Sequence, residues 1–96
     1  MVYKIIISPR AVKEIENAID YYALYSESAS HNLIASITDY YKTLEINPHF
    51  SIRYKNIRSL RIRRFPYSLF YVVNEKQKVI RILSCFHHKR NPKKMP

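Results

Sequence analysis

The sequence predicts a single α+β domain spanning residues 1–96, of element order β-α-α-β-β-β. An α-helical hairpin packs on one face of an antiparallel meander. Three observations carry this expectation. Apolar residues recur at helical spacing through the first half. In the second half "SLRIRRF" alternates with period two, "YSLFYVV" is mostly apolar and "KVIRILSCF" is rich in strand-forming residues. The chain has no glycine at all, and its breaks fall at Ser8-Pro9, Asn47-Pro48, Phe65-Pro66, Asn74-Glu75 and Asn91-Pro92, where Pro, Asn and Ser supply the turn chemistry.

Val2 to Ile7, "VYKIII", is β-branched and aromatic, and reads as a strand. Ser8 and Pro9 then read as N-cap and first helical residue. The serine hydroxyl can accept an orphan N–H, and proline has none to lose. Val12, Ile15, Ile19 and Tyr22 follow at helical spacing, with Lys13, Glu14, Glu16, Asn17 and Asp20 on the other side. This is an amphipathic helix of about four turns. After a break at Tyr25-Ser26 the pattern returns with Leu33, Ile34, Ile37, Tyr41 and Leu44. Asn47-Pro48 ends it near Ile46, because the residue before proline avoids the α region. Three strands complete the order, through "SLRIRRF", "YSLFYVV" and "KVIRILSCF". Short connections at Phe65-Pro66-Tyr67 and Asn74–Gln77 imply antiparallel pairing.

Charge is divided as sharply as structure. The net charge is +10. Residues 1–45 carry four basic and six acidic side chains, net −2. Residues 46–96 carry 13 basic side chains and one acid, Glu75, net +12. A basic half of this kind points to an anionic partner: nucleic acid, a phosphate-rich surface or an acidic protein. One cysteine, Cys85, excludes an internal disulfide and reads as buried packing. No spaced Cys/His set suits zinc, so neither metal nor cofactor is expected. No apolar run approaches a membrane span, and "VYKIIIS" is too short for a signal-peptide core. The expected location is the cytoplasm.

Within the basic half, strand parity puts Arg61 and Arg63 on an open face and Arg64 with Leu60 and Ile62 at the core edge. It also puts Arg81 and His87 on one face of the last strand, with His88 opposite. Arginines in such a row are suited to gripping phosphate or carboxylate. Arg53, Lys55 and Arg58 belong to the loop and strand start, and "KRNPKKMP" is a basic tail. Tyr67 and Tyr71, in step with Leu69 and Val73, are expected to seal the sheet against the helices. His31 and His49 read as surface residues.

Several strings together resemble the RelE/ParE superfamily of toxins from type II toxin–antitoxin modules, its ParE-like or "plasmid stabilization" branch in particular. They are "SPRAVKEIENAIDYY", "LEINPHF", "IRSLRIRRFPYSLFYVVNE" and "IRILSCFHHKRNP", the last with His87, Arg90 and Pro92. They run through nearly the whole chain in the right order. The resemblance implies a small toxin held in check by a cognate acidic antitoxin, with DNA gyrase as the target to be inhibited. A RelE-like, ribosome-dependent mRNA endonuclease is the alternative, and a non-toxic basic nucleic-acid-binding module is the third reading. For target or antitoxin binding the candidates are Arg58, Arg61, Arg63, Arg81, His87, Lys89 and Arg90. For RNA cleavage they are His87, Arg61 and Arg90, since attack by a 2′-hydroxyl needs proton transfer and positive charge on the phosphate. Many members carry a basic residue after the Tyr of the Phe-Pro-Tyr motif, where this chain has Ser68.

Overall fold

The computed structural model describes residues 2–50 and 52–88. Seven elements follow one another: β1 (Lys4–Ile7), α1 (Pro9–Ala23), α2 (Glu27–Ile46), β2 (Ile52–Tyr54), β3 (Ile57–Arg61), β4 (Tyr67–Asn74) and β5 (Val79–His87). The strands form one mixed sheet in the order β1-β5-β4-β3-β2. β2 through β5 make the expected antiparallel meander, and β1 lies parallel to β5 at the edge. β2 is one strand more than the sequence predicts. It is short and wholly exposed, so it carries no buried alternation from which it could be read.

Both helices start on the caps the sequence offers. Ser8 Oγ accepts from Ala11 N at 3.1 Å with Pro9 at the first helical position, and Ser26 Oγ accepts from Ala29 N at 2.9 Å. The break between them is only Leu24–Ser26, so the helices fold back as a hairpin. Ala11, Ala18, Leu33, Ile37 and Leu44 bury against Tyr67, Leu69, Tyr71, Ile80 and Ile82 of the sheet. Burying one such large side chain contributes roughly 1.5–3 kcal/mol. The Tyr71 hydroxyl donates to the Pro48 carbonyl at 2.7 Å in the core, pinning the end of α2 to β4. Cys85 is buried as expected, and burial pushes its thiol up to about 12.

β1 stops at Ile7, so the outer edge of β5 loses its strand partner beyond Ile82. The first turns of α1 take its place. Ser8 Oγ donates to the Leu83 carbonyl at 3.0 Å, and the Glu14 carboxylate accepts from Ser84 Oγ at 2.8 Å and Cys85 N at 3.1 Å. Buried backbone N–H groups must find a partner, and here a helix carboxylate supplies it.

Two expectations fail in the second half. First, β5 carries a bulge. Its partners on β4 run from Ser84 opposite Phe70 to Ile82 opposite Tyr71, which leaves Leu83 as an extra residue. One extra residue reverses strand parity, so Arg81 and His87 do not share a face. Second, β3 ends at Arg61 rather than running to Arg64. The chain turns at Ile62–Phe65, closed by Phe65 N donating to the Ile62 carbonyl at 3.3 Å. Arg63 and Arg64 form the corner of this turn, both exposed, and Arg64 has φ 74°. Arg64 is therefore not a core-edge residue, and the connection between β3 and β4 is not confined to Phe65-Pro66-Tyr67.

Candidate functional site

Cross-strand partners share a face, which assigns every candidate in the sheet. Tyr67, Leu69, Tyr71 and Val73 of β4 point to the helices and belong to or pack on the core. Ser68, Phe70 and Val72 point the other way. Arg61 lies opposite Ser68, and Arg81 lies opposite Val72. Both arginines therefore stand on the face away from the helices. Four residues of β4 separate their levels, roughly 13 Å at about 3.3 Å per residue. Both are exposed, and among the described residues neither side chain has a hydrogen-bond or ion-pair partner. The same is true of the side chains of Arg63 and Arg64 in the turn.

Glu75, the one acid of the basic half, is occupied elsewhere. Its carboxylate meets His49 Nε2 at 2.7 Å, the Tyr3 hydroxyl at 2.9 Å and Lys78 Nζ at 3.3 Å. The His49 contact first, then Tyr3 and Lys78, hold it at about 2, well below the usual carboxylate value. His49 is thus exposed, as the sequence suggests, but bonded. With Glu75 engaged, the four arginine side chains have no carboxylate partner among the described residues.

The remaining candidates separate. His87 lies opposite Tyr67 on the helix side, its ring edge-on to that tyrosine with centroids 5.0 Å apart. Arg58 also faces the helix side, opposite Tyr71, and its guanidinium donates to the Phe50 carbonyl. Lys89 and Arg90 lie outside the described residues. The residue that sequence parity ranked low, His88, is the one on the open face. Its Nε2 is 2.9 Å from Ser68 Oγ, and its backbone N–H donates to the Pro66 carbonyl at 3.0 Å. Arg61, Ser68 and His88 thus form a row across three adjacent chain segments. Phe70 and Phe86 stack beside it, buried, with centroids 5.8 Å apart. At the far end of this face, an open recess of about 520 Å³ includes Asn56, Val72, Lys76, Val79 and Arg81 in its lining.

A second surface of different character lies on the helix side. Val12, Ile15 and Ile19 of α1 and Ile34, Ile37 and Tyr41 of α2 line an apolar groove of about 260 Å³. Val12 and Ile34 are 41% and 42% exposed, so the apolar stripe is wider than the core requires. The Tyr41 hydroxyl is buried without a hydrogen-bond partner among the described residues. Burial, then the nearby Cys85, pushes it up to about 12. The sequence shows this stripe as helical periodicity, but it does not separate the residues that reach the core from those left in the groove. Among the described residues no group of three or more potential ligands could hold a metal ion, and no helix is long and apolar enough to cross a membrane.

A helical hairpin packed on one mixed sheet is a RelE/ParE-like α+β fold. Two solved structures share it. One is described as a chromosomal ParDE toxin–antitoxin system from P. aeruginosa, at 19% identity, with a TM-score of 0.74, 90% of this chain and 96% of that chain covered. The other is described as the toxin–antitoxin complex RelBE2 from Mycobacterium tuberculosis, at 17% identity, with a TM-score of 0.66, 91% and 92% covered. Among curated proteins, none matches the sequence. Residues 5–92 match the family described as the ParE toxin of the type II toxin–antitoxin system, parDE, and the chain belongs to that family.

Proposed function

We propose that the chain arrests growth by inhibiting DNA gyrase through protein–protein contact, acting in the cytoplasm, and that a cognate acidic antitoxin neutralises it. Membership of the ParE toxin family is the observation that carries this reading. The geometry supports binding over cleavage. Arg61 and His87 stand on opposite faces of the sheet, and Arg61 and Arg81 are spread along the open face rather than converging. Such a row suits carboxylates on a partner surface, which long-range attraction brings in quickly. The apolar groove between α1 and α2 suits an amphipathic segment of the antitoxin, and the likeness to toxin–antitoxin complexes favours such a partner.

One observation favours the second reading, ribosome-dependent mRNA cleavage. The Ser68–His88 pair sits beside Arg61 on the sheet face away from the helices. It offers an imidazole, a group suited to proton transfer, next to a guanidinium suited to gripping phosphate. Expression without antitoxin separates the readings. Gyrase inhibition should give filamentous cells and a DNA-damage response, and the purified chain should block supercoiling by purified gyrase. Cut transcripts with intact supercoiling would replace the first reading by the second. Undisturbed growth would remove both and leave the nucleic-acid-binding module.

A further inference from the structure

The tip of the helical hairpin exposes apolar surface for which the fold has no use. Only Leu24, Tyr25 and Ser26 join α1 to α2, and two of these are large and apolar. Leu24 is 84% exposed and Tyr25 71%. Helix connections are normally polar or glycine-rich. Ser26 does have a structural duty, capping α2. Leu24 and Tyr25 bury nothing that the monomer requires. From Tyr25 an aromatic row runs inward, with centroids 5.2 Å to Tyr21, 5.3 Å on to Tyr22 and 5.3 Å on to Phe65. Phe65 belongs to the β3–β4 turn, whose corner is Arg63 and Arg64. The row therefore ends in the turn whose corner carries two exposed arginines, their side chains without partners among the described residues.

The turn is also held in place. The Tyr40 hydroxyl of α2 accepts from Arg63 N at 3.0 Å. Arg64 sits at φ 74°, a left-handed conformation that is unfavourable for a residue with a Cβ. Strained positions of this sort gather where a surface has a task beyond stability. Tyr and Arg are the residue types that dominate protein–protein hot spots. The aliphatic Leu24 at the apex offers no ring for a nucleic-acid base to stack on. A protein cleft would bury it.

We propose that Leu24 and Tyr25, with Arg63 and Arg64 at the end of the aromatic row, form the surface by which this chain grips its target protein. The partner is an acidic protein presenting an apolar cleft to the hairpin tip and carboxylates to the turn. This rests on the toxin reading above and adds the place of contact. The tip is separate from both the open sheet face and the groove between the helices.

The test compares the parent with Leu24→Ser/Tyr25→Ser and with Arg63→Ser/Arg64→Asn. All four positions are exposed, and asparagine tolerates the left-handed conformation, so thermal melting should be unchanged. Three readouts are used: growth arrest on induction, inhibition of supercoiling by purified gyrase, and sedimentation of the purified chain. Truncating hot-spot residues should weaken arrest and inhibition by about thirtyfold, the equivalent of ~2 kcal/mol. Variants that melt like the parent and arrest growth as well as it does would overturn the proposal and leave the toxin reading standing. Arrest by the parent with supercoiling intact would sink the gyrase reading, and loss of that arrest in the variants would still support the tip. A parent that fails to arrest growth overturns both. Two other results also overturn the proposal. One is a parent dimer that the tip variants dissolve, which makes the occupant a second copy. The other is a fluorescein-labelled oligo-dT whose binding falls in step with arrest, which makes the partner a nucleic acid.

Discussion

Replacing Glu14 should damage this fold more than any other change to an exposed or half-exposed charge. Its carboxylate stands in for a missing strand along β5, accepting from Ser84 Oγ at 2.8 Å and Cys85 N at 3.1 Å. Ser84 is fully buried. In Glu14→Ala the Cys85 N–H loses its acceptor, at a cost of about 1–3 kcal/mol for an unsatisfied buried donor. The serine hydroxyl can rotate in search of another acceptor, so its loss adds about 1 kcal/mol. The Arg10–Glu14 pair, at 3.6 Å and largely solvated, adds no more than about 0.5 kcal/mol. The sum is about 3 kcal/mol, against roughly 5–14 kcal/mol for a whole domain of this length. At about 4–8 °C per kcal/mol, melting should fall by about 12–24 °C. Glu14→Gln keeps a carbonyl acceptor and should lose only about 1 kcal/mol. Arg10→Ala should change little. Urea unfolding of the three variants measures all of this. A Glu14→Ala protein within about 0.5 kcal/mol of the parent would show that the β5 edge is not held by this carboxylate. A Glu14→Gln protein as weak as Glu14→Ala would show that its charge, not its hydrogen bonding, is what matters.

Three further outcomes follow from single sites. Glu75 is held at about 2 by His49, Tyr3 and Lys78; a carboxyl depressed in the folded state stabilises fully above its ordinary value, and that stability drains away as pH falls from about 4.5 towards 2. Glu75→Gln should therefore flatten the fall of melting temperature across that window, and identical pH profiles would disprove the linkage. Lys55 has φ 51°, so Lys55→Gly should raise stability by a few tenths to about 1 kcal/mol by thermal melting, and a loss would mean the turn tolerates the lysine without strain. Burial, then Glu14, raises the Cys85 thiol to about 12, so iodoacetamide at pH 8 should leave the native chain unmodified and label it promptly in denaturant; equal labelling rates would contradict the buried placement.

What could be read from the sequence depended on local chemistry. Ser8-Pro9 and Asn47-Pro48 mark helix ends because capping and the pre-proline restriction act within a few residues. The platform of Tyr67, Leu69 and Tyr71 was legible because alternation holds through β4. It failed along β5, where Leu83 is extra and apolar residues change from even positions, Ile80 and Ile82, to odd, Cys85. That change of parity was present in the sequence as a signal, although it does not by itself name the inserted residue. The β3–β4 turn hid for a different reason. A left-handed corner normally shows itself by Gly or Asn, and here it is occupied by Arg64. Lys55 and Lys78 occupy the other two described left-handed positions. A chain without glycine conceals its turns behind basic residues, so the turn arginines read as part of a strand. The exchange of His87 for His88 on the open face follows directly from the missed bulge.

The separation of two surfaces by one sheet leads to the last prediction. The groove of Val12, Ile15, Ile19, Ile34, Ile37 and Tyr41 lies on the helix side, and Arg61 and Arg81 lie on the other. If the antitoxin needs the groove and the target does not, one substitution should divide neutralisation from toxicity. Ile34 is 42% exposed, so Ile34→Lys puts a charge into the groove without emptying the core. Desolvating that lysine under an apolar partner segment is unfavourable, and a loss of about 2 kcal/mol corresponds to about thirtyfold weaker binding. The expected phenotype is growth arrest as strong as the parent's that co-expressed cognate antitoxin no longer relieves. If the target also takes the basic face, Arg61→Ala combined with Arg81→Ala should weaken arrest without unfolding the chain, because both side chains are exposed and make no hydrogen bond or ion pair among the described residues. An Ile34→Lys chain rescued as fully as the parent would show that neutralisation runs through the basic face alone. One that neither arrests growth nor binds antitoxin, while melting normally, would show that both partners share the groove.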